Sequence, residues 1–174
     1  RRMCGAAAAY YLAVESHPEY RQGQREVEIA TAQLMAEGPE ALIPDEPVTI
    51  PLVVHVVYND DSENISDEQV ESQITVLNQD FAATNPNTAN VPDVWAGFVA
   101  DTNVRFALAS EDPEGNSTSG ITRTQTDRTE FGIDDSVKSA DTSGVDPWDP
   151  DRFVNVWVCK LAGGLLGYAQ FPGG

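Results

Sequence analysis

The longest apolar run, Val48-Thr-Ile-Pro-Leu-Val-Val-His-Val-Val-Tyr58, shows no polar alternation. A β-branched run without a polar side predicts a strand covered on both faces, as in a parallel or mixed sheet. Pro51 has no N–H to give to a ladder, so that end of the strand belongs at an edge or a bulge. Farther along, the period changes from strand-like to helical: Val70, Ile74, Leu77 and Phe81 recur on one helical face. Ser66 and Gln69 form an S-x-x-Q capping signature, Ile65 and Val70 occupy the staple positions, and Asp67, Glu68 and Glu71 complement the helix dipole. The spacing predicts a helix over 65–83 that ends before Asn85-Pro86. A second apolar stretch, Val104–Ala109, predicts a strand, and strand–helix–strand predicts a right-handed crossover between parallel neighbours. Phe153–Cys159 reads as another strand, and Gly163-Gly164 as a tight turn into a last one over 165–171. Between 110 and 151, Asp112-Pro-Glu-Gly-Asn116 and Val145-Asp-Pro-Trp-Asp-Pro-Asp151 predict turns and loop.

The N-terminal part has a different texture. Residues 4–37 are rich in Ala, Glu, Gln and Leu, and His17-Pro18 interrupts them, because a residue before proline is pushed out of the helical region. Two helices are expected, over 5–16 and 18–36, followed by a linker with three prolines at 38–47. The chain therefore divides into a segment of residues 1–45 and a body of residues 46–174.

Composition narrows the partners. The chain has 28 acidic against 10 basic residues, a net charge of −18, which repels phosphate backbones and anionic lipid heads. Neither nucleic acid nor membrane is expected as a partner. Cys4 and Cys159 make no disulfide framework, although they could pair once. The opening Arg1-Arg-Met-Cys-Gly5 with the apolar stretch to Val14 resembles a short signal peptide without a convincing cleavage site, and a processed secretory protein fits equally. Asp146, Asp149 and Asp151 invite comparison with a calcium loop, but two prolines interrupt them and a turn-rich acidic loop is the simpler account. Asp141-Thr-Ser-Gly144 has one residue too many for an aspartic-protease turn. Asn64-Ile-Ser66 and Asn116-Ser-Thr118 are glycosylation sequons only in a eukaryotic secretory host.

Six blocks in order carry a family resemblance: Arg2-Met-Cys-Gly5; Ile50–Tyr58; Asn64–Phe81; Gly120-Ile-Thr-Arg-Thr124; Val154-Asn-Val-Trp-Val-Cys159; and Gly164-Leu-Leu-Gly-Tyr-Ala-Gln-Phe-Pro-Gly-Gly174. Together they resemble the pappalysin family of zinc metallopeptidases, in particular its secreted microbial, ulilysin- and mirolysin-like branch. The resemblance implies an α+β fold: a metzincin-like N-terminal subdomain, a twisted mixed sheet with a backing helix, preceded by a helical pro-segment. It implies a secreted zinc endopeptidase that acts on polypeptides and is monomeric when complete. The last strand would be the rim strand, whose main-chain groups around Gly167, Tyr168 and Ala169 pair with an extended substrate. Without the family, the same residues read as an edge strand beside a glycine turn.

In that family the active-site helix brings two zinc-binding histidines one turn apart and a glutamate, and a third histidine follows a glycine turn. This sequence has no H-E-x-x-H, so most zinc ligands, and any calcium sites, are expected beyond residue 174, and the chain alone is expected to be inactive. Its two histidines do not substitute: His55 reads as a satisfied core residue and His17 as a solvated one. Cys4 is the metal candidate, since in such pro-segments a cysteine can ligate the catalytic zinc, and Arg1 and Arg2 favour its thiolate. The family pattern is usually Arg-Cys-Gly, so Met3 is a departure; a bystander thiol or a pair with Cys159 remain open readings. Cys159 itself suits a small buried core position. Two other classes compete with the protease: a non-catalytic acidic module that binds peptides along the rim strand, and an inhibitor-like piece whose first 45 residues act on a separate protease.

Overall fold

The computed structural model describes residues 3–38 and 46–170. The expectations for Arg1-Arg2, for most of the 38–47 linker and for the end of the 165–171 strand lie outside the described residues. A two-residue strand β1 (Met3–Cys4) leads into α1 (Ala6–Ser16), and His17 in extended conformation separates it from α2 (Pro18–Glu37), which starts on proline as helices tolerate. The body runs β2 (Val48–Tyr58), α3 (Asp67–Phe81), a short α4 (Asp93–Ala96), β3 (Val104–Leu108), β4 (Ile121–Gln125), β5 (Val154–Val158) and β6 (Leu165–Gly167).

Strand β2 is the axis of the molecule, and every other strand of its sheet pairs with it in parallel. The mixed character expected of the sheet does not involve these four strands. Val48 N–H donates to Asn103 O (2.8 Å), Ala109 N–H to Leu52 O (2.8 Å), Val54 N–H to Gly120 O (2.9 Å) and Thr126 N–H to Tyr58 O (2.8 Å). The even-numbered main-chain groups of β2 thus serve one edge, occupied first by β3 and then by β4, while the odd-numbered groups serve β5. Gly120 stands at the handover from β3 to β4: its φ is +72°, and a Cβ there would lie 2.6 Å from Ala109 N. Pro51, an odd position, turns its nitrogen toward the β5 edge just before pairing begins at Leu52 opposite Val154, so its missing N–H costs no ladder bond.

Both faces of β2 are covered, as its unbroken apolar run predicts. Leu52, Val54 and Val56 pack with Val70 of α3 and are flanked by Ile65, Ile74, Phe106 and Ile121. On the opposite face Val53 packs with Ala109 and Phe153, and Val57 with Phe131 and Val137. One cover is the predicted helix; the other is irregular chain from the loop-rich stretch. Strand β4 lies within that stretch and was not anticipated. Its Ile-Thr-Arg-Thr-Gln alternation was the signal, obscured by the turn residues on either side.

Side chains tie the layers together. Ser66 Oγ accepts from Gln69 N–H (3.3 Å) at the start of α3, whereas the reciprocal capping box is built by Asp60 and Glu63 one turn earlier. Arg123 of β4 donates to Ile65 O (2.6 Å) and pairs with Asn64 and Asp67, fastening the sheet to the N-terminus of α3. At the other end, Asn78 donates to Phe106 O and accepts from Phe106 N–H, both at 2.8 Å, so a helix side chain satisfies the outer edge of β3.

His55 is fully buried between the indoles of Trp157 and Trp148, with ring centroids 5.2 and 6.2 Å away. Asn155 accepts from Trp148 N–H (2.7 Å) and donates to Trp148 O (2.8 Å), which fixes its amide orientation. Its Oδ1 therefore accepts from His55 Nε2–H (3.0 Å), leaving His55 Nδ1 to accept from Thr122 Oγ1–H (2.8 Å). The imidazole is a neutral bridge joining β2, β4 and β5, as the core-residue reading expects.

Replacing Asn78 by Leu removes both edge bonds and leaves the Phe106 amide without them, an expected loss of about 1–3 kcal/mol in urea unfolding; an unchanged midpoint would contradict the role. Burial holds the His55 pKa below its usual 6.5, opposed by the Asn155 bond. Below that value the unfolded chain takes up a proton that the folded chain refuses, so stability is full above about pH 6.5 and falls as pH drops toward the lowered folded value. The urea midpoint should fall between pH 7.5 and 5.5, and His55→Gln should flatten this part of the profile.

Candidate functional site

The residues singled out for peptide contact sit where the chain leaves β5. A turn at Ala162–Gly164, with φ of 64° at Gly163 and 76° at Gly164, leads into β6. These two positive angles are what the glycine pair supplies. β6 is shorter than the expected 165–171 strand, and Tyr168–Gln170 continue it as irregular chain. Among the described residues its partner is β1, in parallel: Met3 lies opposite Leu165 and Cys4 opposite Gly167, with a register shift between the two pairs, and Gly5 N–H donates to Gly167 O (2.8 Å). Because α1 begins at Ala6, the ladder does not continue past Gly5 on that side. The edge expected to be free is thus taken along Leu165–Gly167 by the N-terminal segment.

Gly5 is held tightly in this contact. A Cβ there would meet Leu165 Cδ2 at 3.1 Å, Ile133 Cγ2 at 3.2 Å and Tyr168 Cβ at 3.3 Å. The absence of a side chain lets the segment lie flat on β6 before the helix begins. Cys4 is exposed and both cysteines are free thiols, so the Cys4–Cys159 pairing is not formed. The Cys159 thiol is pushed up to about 11, first by burial and then by Glu63, which suits the packed, unreactive position expected of it.

The segment beyond β6 is fixed by side chains that sequence reasoning missed. Tyr168 OH donates to Asp135 Oδ1 (3.1 Å), and Gln170 Nε2 donates to Asp135 Oδ2 (3.2 Å). Lys138 Nζ donates to Gln170 Oε1 (3.1 Å) and pairs with Asp135 Oδ1 (2.7 Å). Burial and the Asp135 charge raise the Tyr168 pKa, so the phenol remains a donor throughout the ordinary pH range. Asp135 and Lys138 lie more than 30 residues before their partners in a turn-rich stretch, and no local pattern marks them.

A groove of about 640 Å³ separates β5 from this segment, lined by Val154, Val156, Trp157, Leu166 and Tyr168 among others. No described strand pairs with the outer edge of β5, and Val154, Val156 and Leu166 are exposed. Among the described residues no group of three or more His, Cys, Asp or Glu could hold a metal. Among the described residues Cys4 presents an exposed thiol at the site, a group chemically suited to zinc. Asp146 and Asp149 are engaged in local turns, accepting from Ala140 N–H (2.9 Å) and Asp151 N–H (3.0 Å). His17 is exposed and lies 3.1 Å from Glu19.

No protein-family model matches the sequence, and no curated protein matches it either. Solved structures do. A Tannerella forsythia promirolysin mutant is 40% identical over 98% of this chain and 54% of its own, with a TM-score of 0.80. Mature T. forsythia mirolysin in complex with a cleaved peptide is 48% identical over 74% of this chain and 48% of its own, with a TM-score of 0.71. Mirolysin in complex with a compound is 48% identical over 74% of this chain and 47% of its own, with a TM-score of 0.70. The chain spans about half the length of these relatives. With this identity along the same open parallel sheet and helices, the chain belongs to the mirolysin-like metallopeptidase family.

Proposed function

We propose that these residues are the pro-segment and the first half of the catalytic domain of a secreted, zinc-dependent endopeptidase made as a zymogen. The observation that carries the reading is the pairing of Met3–Gly5 with Leu165–Gly167. In the processed enzyme the same main-chain groups, with those of Tyr168 and Ala169, would pair with an extended polypeptide, and the N-terminal segment denies them to it. The relative in complex with a cleaved peptide supports a peptide substrate, and the proenzyme relative supports latency.

The division is placed at residue 45; the mature relative aligns with a smaller share of the chain, 74%, than the proenzyme, 98%, as loss of an N-terminal segment would leave. Within the helical piece that the division sets apart, Met3–Gly5 lie on β6, while α2 leaves Val27, Ile29, Leu34 and Met35 exposed.

Zinc would be held mainly by residues outside this chain, and when bound it supplies the activation of a water for attack on the scissile carbonyl. The role of the residues present is to bind and to exclude. Cys4, placed opposite Gly167, would offer its thiolate as one ligand in the latent form and take the place of the attacking water. Calcium has no support in this structure. Extracellular location and a monomeric complete enzyme follow the family resemblance and are part of the same proposal. The competing peptide-binding module would use the same edge without cleaving anything, so zinc-dependent cleavage separates the two.

In the full-length protein, Cys4→Ala should raise cleavage of an unstructured protein by the unprocessed form about tenfold or more, the removal of a strong ligand being worth at least 1.4 kcal/mol. Equal latency in the variant would remove Cys4 from the switch. Chelation should abolish cleavage by the processed form and added zinc should restore it; chelator-resistant cleavage would contradict the metal assignment.

A further inference from the structure

Two side chains outside β6 determine where the proposed substrate segment lies. Asp135 accepts from Tyr168 with one oxygen and from Gln170 with the other, and Lys138 closes the figure by binding both Asp135 and Gln170. The Gln170 amide is read at both ends, its oxygen by Lys138 and its nitrogen by Asp135, so its plane and the adjoining main chain are fixed. Lys138 Nζ also lies 5.3 Å from the ring centre of Tyr168 and 5.7 Å from that of Trp157 on β5, bridging the groove from one wall to the other.

The cluster is supported from the cover of the central sheet. Val137, between the two, is buried with Val57 and Phe131 in the cover of the central sheet. Lys138 N–H donates to Asp135 O (2.8 Å), and Val145 N–H donates to Val137 O (2.9 Å). Asp135 adopts a left-handed conformation with φ of 59°, an uncommon place for a residue with a side chain and one kept only where the surroundings require it. Glycine would fit that backbone more easily, but would bring no carboxylate to Tyr168 and Gln170.

We propose that Asp135 and Lys138 are positioning residues that hold Tyr168–Gln170 in register for an extended substrate once Met3–Gly5 has left. The proposal rests on the substrate-strand reading above. Half-exposed ion pairs contribute little to global stability, so the expected effect of losing this one lies in substrate binding rather than in folding.

The test uses the processed full-length enzyme with two peptides sharing the scissile bond, one short and one extended along the strand. In wild type the extended peptide should have the lower KM. Asp135→Asn and Lys138→Met should raise its KM about tenfold, a change of 1.4 kcal/mol, with kcat within about twofold and the short peptide unaffected. Lys138→Arg should retain most of the wild-type KM, and melting temperatures should stay within about 2 °C. If the variants keep the full benefit of length, or lose kcat on both peptides alike, the positioning role is overturned. If wild type gains nothing from length, the substrate-strand reading itself fails and the proposal falls with it.

Discussion

Burial of β2 on both faces is the constraint from which the rest of the structure follows. A strand with Leu52, Val53, Val54, Val56 and Val57 almost wholly removed from water needs an apolar layer above and another below. Helix α3 supplies one through Val70 and Ile74, and the stretch from Phe131 to Phe153 supplies the other. Each fully buried Val or Leu contributes roughly 1.5–3 kcal/mol, which makes this strand the main source of cohesion in the body. The single polar residue in the buried run, His55, is tolerated because Thr122 and Asn155 satisfy both ring nitrogens.

The same constraint places the site. The irregular cover is pinned to the sheet through Trp148, Asn155, Val137 and Trp157, whose Nε1–H donates to Val145 O (2.9 Å). Gly144 belongs to that pinning, since a Cβ there would lie 2.2 Å from Val137 O. Asp135 and Lys138 project from the pinned loop to Tyr168 and Gln170, so the proposed substrate segment inherits its position from the core. The N-terminal segment then adds a parallel strand along β6, a contact made chiefly by main chain and narrow enough that only glycine fits at position 5 without crowding its neighbours. A ladder of two residue pairs with a register shift between them is a small contact to release, which suits the proposed latency.

Much of this was legible in the sequence where the signal is local. The helical period of Val70, Ile74, Leu77 and Phe81, the Ser66 cap, the His17-Pro18 break and the uninterrupted run at 48–58 each map onto an observed element within a residue or two. The buried, satisfied character of His55 followed from its apolar neighbours. What was not legible depends on contacts between distant residues. Strand β4 is short and framed by turn formers, and it exists as a strand because the second half of β2 offers it an edge. The complete capping box at Asp60 and Glu63 precedes a turn too short to show a period. The Asp135–Lys138 cluster has no pattern of its own, and the occupation of β6 by Met3–Cys4 joins parts of the chain at its opposite ends. The family resemblance pointed to Gly167, Tyr168 and Ala169 without indicating what else would lie against them.

The central claim is that the N-terminal strand and an extended peptide compete for one edge. Amide hydrogen exchange over residues 165–170 of the full-length protein tests it most directly, in the unprocessed form, the processed form, and the processed form saturated with an uncleavable extended peptide. The account predicts that the segment is protected in the first, exchanges faster in the second and regains protection in the third. Exchange that is the same in all three, or peptide that leaves the segment of the processed form unprotected, would contradict it.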